Sequence, residues 1–255
     1  MQKPIIAANW KMHKTIEEAV DFARELKAEA STFTDRTVII APPFTALRPV
    51  ADILRGSTVQ LAAQTMAYAE SGAFTGEISA AMIADAGCSY VLIGHSERRN
   101  LFGETDGQVN KKVKLALKTG LIPVVCVGET LEQRESGRTL STVEGQIKEG
   151  LRNVSADDIR KIIVAYEPVW AIGTGKTATP EQAVEVHIFI KEILSGYAGI
   201  GDGRTVPVIY GGSVNEGTID ELMAHEGING VLVGGASLKP ASFMNIVRFR
   251  SSATV

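Results

Sequence analysis

The chain has 255 residues and a formal net charge of -3, with lysines and arginines interspersed among the acids. It is long enough to bury a full core, and it offers no basic block for nucleic acid. No apolar run reaches the roughly 20 residues of a membrane span, and the N-terminus lacks the long apolar core of a signal peptide. Cys88 and Cys126, both among apolar neighbours, read as reduced thiols of a cytoplasmic protein.

Eight short apolar runs rich in β-branched residues recur, at 5–9, 38–41, 59–63, 90–94, 122–127, 162–165, 206–210 and 230–233. Their near-continuous apolar character is that of strands buried on both faces, as in parallel sheets. Segments of helical period lie between them. One, 16–30, follows Thr15 as a cap with Glu17 and Glu18 in its first turn. Another, 179–197, opens on Thr179-Pro180-Glu181, with cap, proline and acid in favoured places. Alternating strands and helices imply right-handed crossovers. Eight units in one domain spanning 1–255 point to a closed (β/α)₈ barrel, with an open doubly wound sheet as the competitor. A barrel puts its chemistry at the C-terminal ends of the strands.

Those ends carry the candidates. The first ends in Asn9-Trp10-Lys11, where a lysine leaving a buried strand suits an anionic substrate. The fourth ends in Gly94-His95-Ser96-Glu97, with His95 at the start of a helix and placed to donate a hydrogen bond as a neutral ring. The run from Lys161 to Tyr166 delivers Glu167 to its tip, and Pro168 stops it. A carboxylate there, under an apolar cover, is a candidate general base. The stretch that follows, through Ile172 to the Gly173-Thr174-Gly175-Lys176 tail, reads as a hinged lid. It is not a phosphate loop, because Trp170 stands where that pattern needs glycine. The seventh and eighth strands end in Gly211-Gly212-Ser213 and Gly234-Gly235-Ala236, where backbone amides can approach a phosphate. The histidines show no metal-ligand spacing, and no metal or redox cofactor is implied. Base, imidazole, lysine, lid and phosphate cradle suit proton abstraction beside a carbonyl in a small phosphorylated substrate.

Six motifs carry a resemblance over essentially the whole chain. They are Asn-Trp-Lys-Met at 9–12, Gly-Ala-Phe-Thr-Gly-Glu at 72–77, Gly-His-Ser-Glu-Arg-Arg at 94–99, Ala-Tyr-Glu-Pro-Val-Trp-Ala-Ile-Gly-Thr-Gly-Lys at 165–176, Tyr-Gly-Gly-Ser-Val at 210–214 and Val-Gly-Gly-Ala-Ser-Leu at 233–238. The sequence resembles the triosephosphate isomerase family. The resemblance implies interconversion of dihydroxyacetone phosphate and glyceraldehyde 3-phosphate, with Glu167 carrying the proton and His95 polarising the carbonyl. It implies that Lys11 and Asn9 bind substrate oxygens and that Glu97 supports the charge on Lys11. Gly173, Ser213, Gly234 and Gly235 would offer amides to the phosphate, and Ile172 and Leu232 would press on the base. It also implies a homodimer in which Met12 and the loop from Gln64 to Ser79 meet the partner, with Thr75 at the partner's active-site wall. Ala8, His13 and Thr65 depart from the residues usual in the family. A rival on the same fold, a Schiff-base aldolase with Lys11 as nucleophile, needs that lysine uncharged in an apolar pocket.

Overall fold

A computed structural model of the protein describes residues 2–172, 178–197 and 201–250. The strands are β1 (Ile5–Asn9), β2 (Thr37–Ala41), β3 (Gln60–Ala63), β4 (Tyr90–Ile93), β5 (Ile122–Val127), β6 (Ile163–Tyr166), β7 (Val208–Tyr210) and β8 (Gly230–Val233). All pair in parallel with their sequence neighbours, and β1 pairs with β8 to close the barrel. The (β/α)₈ barrel expected from the sequence is therefore the fold, and the open sheet is not.

The helices follow in turn: α1 (Ile16–Ala30), α2 (Leu47–Leu54), α3 (Ala80–Asp85), α4 (Ser96–Phe102), α5 (Asp106–Lys118) and α6 (Leu131–Glu135). Then come α7 (Thr139–Gly150), α8 (Ala156–Ile159), α9 (Pro180–Ser195), α10 (Ile219–Met223) and α11 (Pro240–Val247). Local chemistry sets their starts. Thr15 accepts from the Glu18 amide while Glu18 returns a bond to the Thr15 amide, a reciprocal cap, and Thr179 and Gln182 repeat it at α9. Among the described residues, no helix is long and apolar enough to cross a membrane.

Two expected boundaries move for physical reasons. The seventh strand starts at Val208, not at 206, because Pro207 has no N–H for the ladder. The fourth stops at Ile93, because Gly94 turns to φ +75°. The sixth runs one residue later than 162–165, and α9 is shorter than 179–197, with Thr179 outside as its cap.

The continuous apolar runs split cleanly by parity. Ile5, Ala7, Ile39, Ala41, Leu92, Val124, Cys126, Ile163, Ala165, Ile209 and Leu232 pack together inside the barrel. Their neighbours Ile6, Ala8, Ile40, Val125, Val164, Val208 and Val231 pack outward under the helices. A strand with one polar face could satisfy only one of these two cores.

Closure depends on Gly230, at φ +151°, where an added Cβ would overlap the Ile5 carbonyl across the β1–β8 seam. Gly230→Ala should therefore lower stability by at least ~2 kcal/mol through strain and overpacking. Urea unfolding would read the loss, and an unchanged midpoint would refute this account of the seam.

Candidate active site

Strand periodicity carries the interior upward to the site. Two residues beyond Ala7, Ala165, Ile209 and Leu232 come Asn9, Glu167, Gly211 and Gly234. All four line one cleft of about 440 Å³ at the C-terminal ends of the strands. The alternation that buries aliphatic side chains below thus delivers an amide, a carboxylate and two bare backbone positions at the mouth.

Glu167 is only 2% exposed, so its carboxylate needs donors. Both come from the turn after β4. Oε1 lies 3.0 Å from His95 Nε2, and Oε2 accepts the Ser96 backbone N–H at 2.8 Å. His95 caps α4, its Nδ1 accepting the Glu97 N–H at 3.2 Å. With Nδ1 accepting, the ring hydrogen sits on Nε2, the atom that faces Glu167.

The opposite wall is Lys11. Its backbone is held at φ 52°, where a residue with a side chain is strained. Asn9 Oδ1 accepts its N–H at 3.0 Å, and Gln64 Nε2 donates to its carbonyl at 2.8 Å and to that of Ala41 at 2.9 Å. So fixed, the side chain reaches Glu97, Nζ to Oε1 2.5 Å. Asn9, Lys11, His95, Glu97, Glu167, Ile172, Ser213, Leu232, Gly234 and Gly235 all line this cleft, brought together from the ends of five strands. Gly173 and the rest of the lid's tail to Thr177 lie outside the described residues.

Backbone groups and glycines also shape the site. The Ser96 donor is a backbone group. Gly128 sits so close to Glu167 that an added Cβ would overlap the Glu167 carbonyl, and a Cβ on Gly211 would come within 2.9 Å of Glu167 Cγ. Gln146 clamps Gly128 from behind, accepting its N–H at 2.8 Å and donating to its carbonyl at 3.0 Å. Val214, Asn215 and Ala236 complete the cleft wall.

Cys126 lies in the inward layer below Glu167, fully buried. Burial first, and then the Glu167 charge, push its thiol well above the ordinary range. It is a neutral, poorly nucleophilic floor, in accord with its apolar sequence context. At the outer side of β6, Glu129 is fully buried and accepts from Trp170 Nε1 at 2.8 Å and from the Tyr166 hydroxyl at 3.1 Å. The segment leaving Glu167 is anchored there.

The β4 turn is itself held by charge. Glu104 Oε1 accepts the Gly94 N–H at 3.0 Å, and Arg99 Nε donates to the Gly94 carbonyl at 2.7 Å. Glu104 is in turn paired with Lys112 at 2.7 Å and Arg98 at 2.9 Å, and Lys112 also donates to Thr65 Oγ1 at 3.2 Å. Burial works against the charge on Glu104, but Lys112 and Arg98 outweigh it and hold its carboxyl below the usual range.

A closed parallel barrel whose strand ends gather a carboxylate, an imidazole and a lysine in one cleft defines a (β/α)₈-barrel enzyme. Comparison with known proteins narrows the class. The family model for triosephosphate isomerase matches residues 4–250. Triosephosphate isomerase of Carboxydothermus hydrogenoformans is 52% identical over 248 residues, covering 97% of this chain and 99% of that one. The enzyme of Endomicrobium trichonymphae is 50% identical over 251 residues, covering 98% and 99%. The crystal structure of triosephosphate isomerase from Bartonella henselae matches with a TM-score of 0.87 at 38% identity, covering 96% of this chain and 98% of that one. The chain belongs to the triosephosphate isomerase family.

The Glu104 cluster makes the β4 turn acid-sensitive. Its folded carboxyl titrates below the ordinary 4.5. Its stabilisation is therefore present above that value and lost as pH falls through the lowered one. Glu104→Gln should flatten the fall in stability as pH drops below the ordinary carboxylate range. At neutral pH it should cost about 3–5 kcal/mol, by leaving Lys112 buried without its partner. Urea titrations at several pH values check both. A variant as stable as the parent at pH 7 would contradict the cluster's role.

Proposed function

We propose that this protein interconverts dihydroxyacetone phosphate and D-glyceraldehyde 3-phosphate by moving one proton between adjacent carbons. The reading rests on Glu167 and His95 meeting at 3.0 Å on the floor of a cleft that also holds Lys11. Glu167 takes a proton from the carbon beside the carbonyl. The released electron pair moves onto the carbonyl oxygen, giving an enediolate, and His95 Nε2–H donates to that oxygen. His95 gives its Nε2 proton to that oxygen and takes the hydroxyl proton of the neighbouring oxygen in return, while Glu167 delivers its proton to the carbon that bore the carbonyl, so nothing is gained or lost overall and no cofactor is required.

Binding follows from the walls. Lys11 supplies a cation for an anionic substrate, oriented by its ion pair with Glu97, and Asn9 offers an amide beside it. Backbone groups at Ser213, Gly234 and Gly235 approach the phosphate from the ends of β7 and β8. By resemblance Gly173 adds an amide from the lid. Ile172 and Leu232 form an apolar wall at the base and shield the enediolate from water. The aldolase reading loses support at Lys11. An imine-forming lysine must be an uncharged amine, and this one lies 2.5 Å from a carboxylate.

The protein acts as one domain per subunit and as a homodimer in the cytoplasm. Residues 70–77 are all exposed, yet the loop is ordered by the Ala67–Ile78 backbone bond and by Tyr68 packing edge-on to Phe74. Met12 is 94% exposed. A projecting ordered loop with uncovered Phe74 and Met12 fits a pocket on a second copy better than it fits water.

Replacing Glu167 by Gln keeps the shape and removes the base. It should lower kcat by ~10²–10⁴ with KM little changed, read in a coupled assay in either direction. Activity within tenfold of the parent would exclude Glu167 as the proton carrier. Thr75→Arg, which puts a charge on the loop tip, should give a monomer by sedimentation. A dimer of unaltered affinity would place the subunit contact elsewhere.

A further inference from the structure

Behind Glu167 lies a second cavity, of about 150 Å³, formed between the loops after β4, β5 and β6. It is walled by Ser96, Asn100, Gly128, Thr130, Gln133 and Gln146, among others, and shares only Glu167 with the substrate cleft. The two carboxylate oxygens divide between these spaces. Oε1 faces His95, which lines the substrate cleft and not the rear cavity. Oε2 accepts from Ser96, which lines the rear cavity and not the cleft. The base is thus a partition with one oxygen turned each way.

The rear walls are polar and have room for several waters. Their strongest charge is spoken for, since Arg99 donates to Gly94 O and Cys126 O and pairs with Asp106 at 2.5 Å. What remains for water is amide and hydroxyl chemistry, which can donate and accept alike. The substrate side differs. A bound triose phosphate displaces water from the cleft, and Ile172 and Leu232 stand over the base there. With that side covered, the rear cavity is the other space that the carboxylate lines.

We infer that this cavity is a water chamber through which Glu167, while it holds the substrate's proton, exchanges that proton with solvent. The inference rests on the isomerase reading above and assigns to that site a second outlet. In the step, protonated Glu167 gives its O–H proton to a rear water as another water in the chain returns one. The carboxyl is regenerated with a solvent hydrogen, and no bond to carbon changes. The fate of the abstracted hydrogen is then a race between return to the neighbouring carbon and loss to the rear. Asn100, on the outer turn of α4 and exposed, and Gln133, on α6, stand at that outlet without touching the cleft.

The test isomerises D-glyceraldehyde 3-phosphate in D₂O and reads, by NMR at early times, the fraction of dihydroxyacetone phosphate whose C1 carries the hydrogen from C2. Asn100→Phe and Gln133→Phe narrow the chamber and should raise that fraction at least about twofold, with kcat and KM within about twofold of the parent. An unchanged fraction in the active variants overturns the chamber while leaving the isomerase standing. A parent protein that turns over neither triose phosphate overturns the isomerase reading instead. A measurement without variants covers the case where both fail to fold. In a crystal structure of the parent protein with 2-phosphoglycolate in the cleft, an ordered water within hydrogen-bond reach of Glu167 or Ser96 on the rear side supports the chamber. A dry rear cavity overturns it.

Discussion

A carboxylate with 2% exposure at the mouth of an apolar barrel is the constraint to which the rest of this structure answers. Left without donors it would cost several kcal/mol. The chain meets the cost from one place, the β4 turn, with an imidazole N–H for one oxygen and a backbone N–H for the other. Glu167 and Ser96 are 71 residues apart, and two strand pairings, β4 to β5 and β5 to β6, bring them within 2.8 Å. The β5–β6 register sets Val127 opposite Tyr166, and the Glu167 amide continues that ladder to the Val127 carbonyl at 2.8 Å. A slip of one residue would send the carboxylate outward under the helices, since parity alone separates the two cores.

The donors are pre-arranged at a price met deeper in the molecule. Gly94 precedes His95, and both of its backbone polar groups are taken by charged side chains, Glu104 and Arg99. Glu104 in turn pairs with buried Lys112 and half-buried Arg98, which together offset the burial of its charge. Glycine completes the arrangement by what it lacks. At Gly128, just past β5, the backbone lies against that of Glu167 with no room for a Cβ. At Gly211 the missing side chain leaves space beside the Glu167 stem. Bulk at either point would move the carboxylate away from His95 by more than hydrogen-bond geometry tolerates.

Much of this was legible in the sequence, for reasons that differ by residue. The strands could be read because β-branched runs buried on both faces have few other uses. Glu167, His95 and Lys11 stood out as polar residues terminating such runs. The Lys11–Glu97 pair, 86 residues apart, came only with the family resemblance, since spacing says nothing about contacts between different strand ends. The Ser96 donor was invisible because a backbone amide has no letter. The left-handed backbone at Lys11 was equally hidden. Gln64 and Asn9 support it, but neither residue type announces that task. The clamp of Gln146 on Gly128 belongs to the same class, a side chain serving a main chain 18 residues away. What escapes the sequence is thus mostly the main chain at the site and the side chains that hold it.

Cys126 shows how the inward layers divide their work. It pairs in register with Ala165, one layer below the carboxylate, where the barrel interior ends and the site begins. An ionisable group there could compete with Glu167 for its donors or neutralise it. Burial and the Glu167 charge together keep the thiol protonated, so the floor carries no charge of its own. A larger aliphatic residue would also be neutral, but it would overpack a fully buried position in the barrel interior. A small, uncharged side chain is therefore what the position allows. With the floor silent, the groups that can exchange bonds with the carboxylate lie to its sides. His95 faces the main cleft and Ser96 faces the rear, so the two oxygens of one buried carboxylate are held from a single turn while opening onto different spaces.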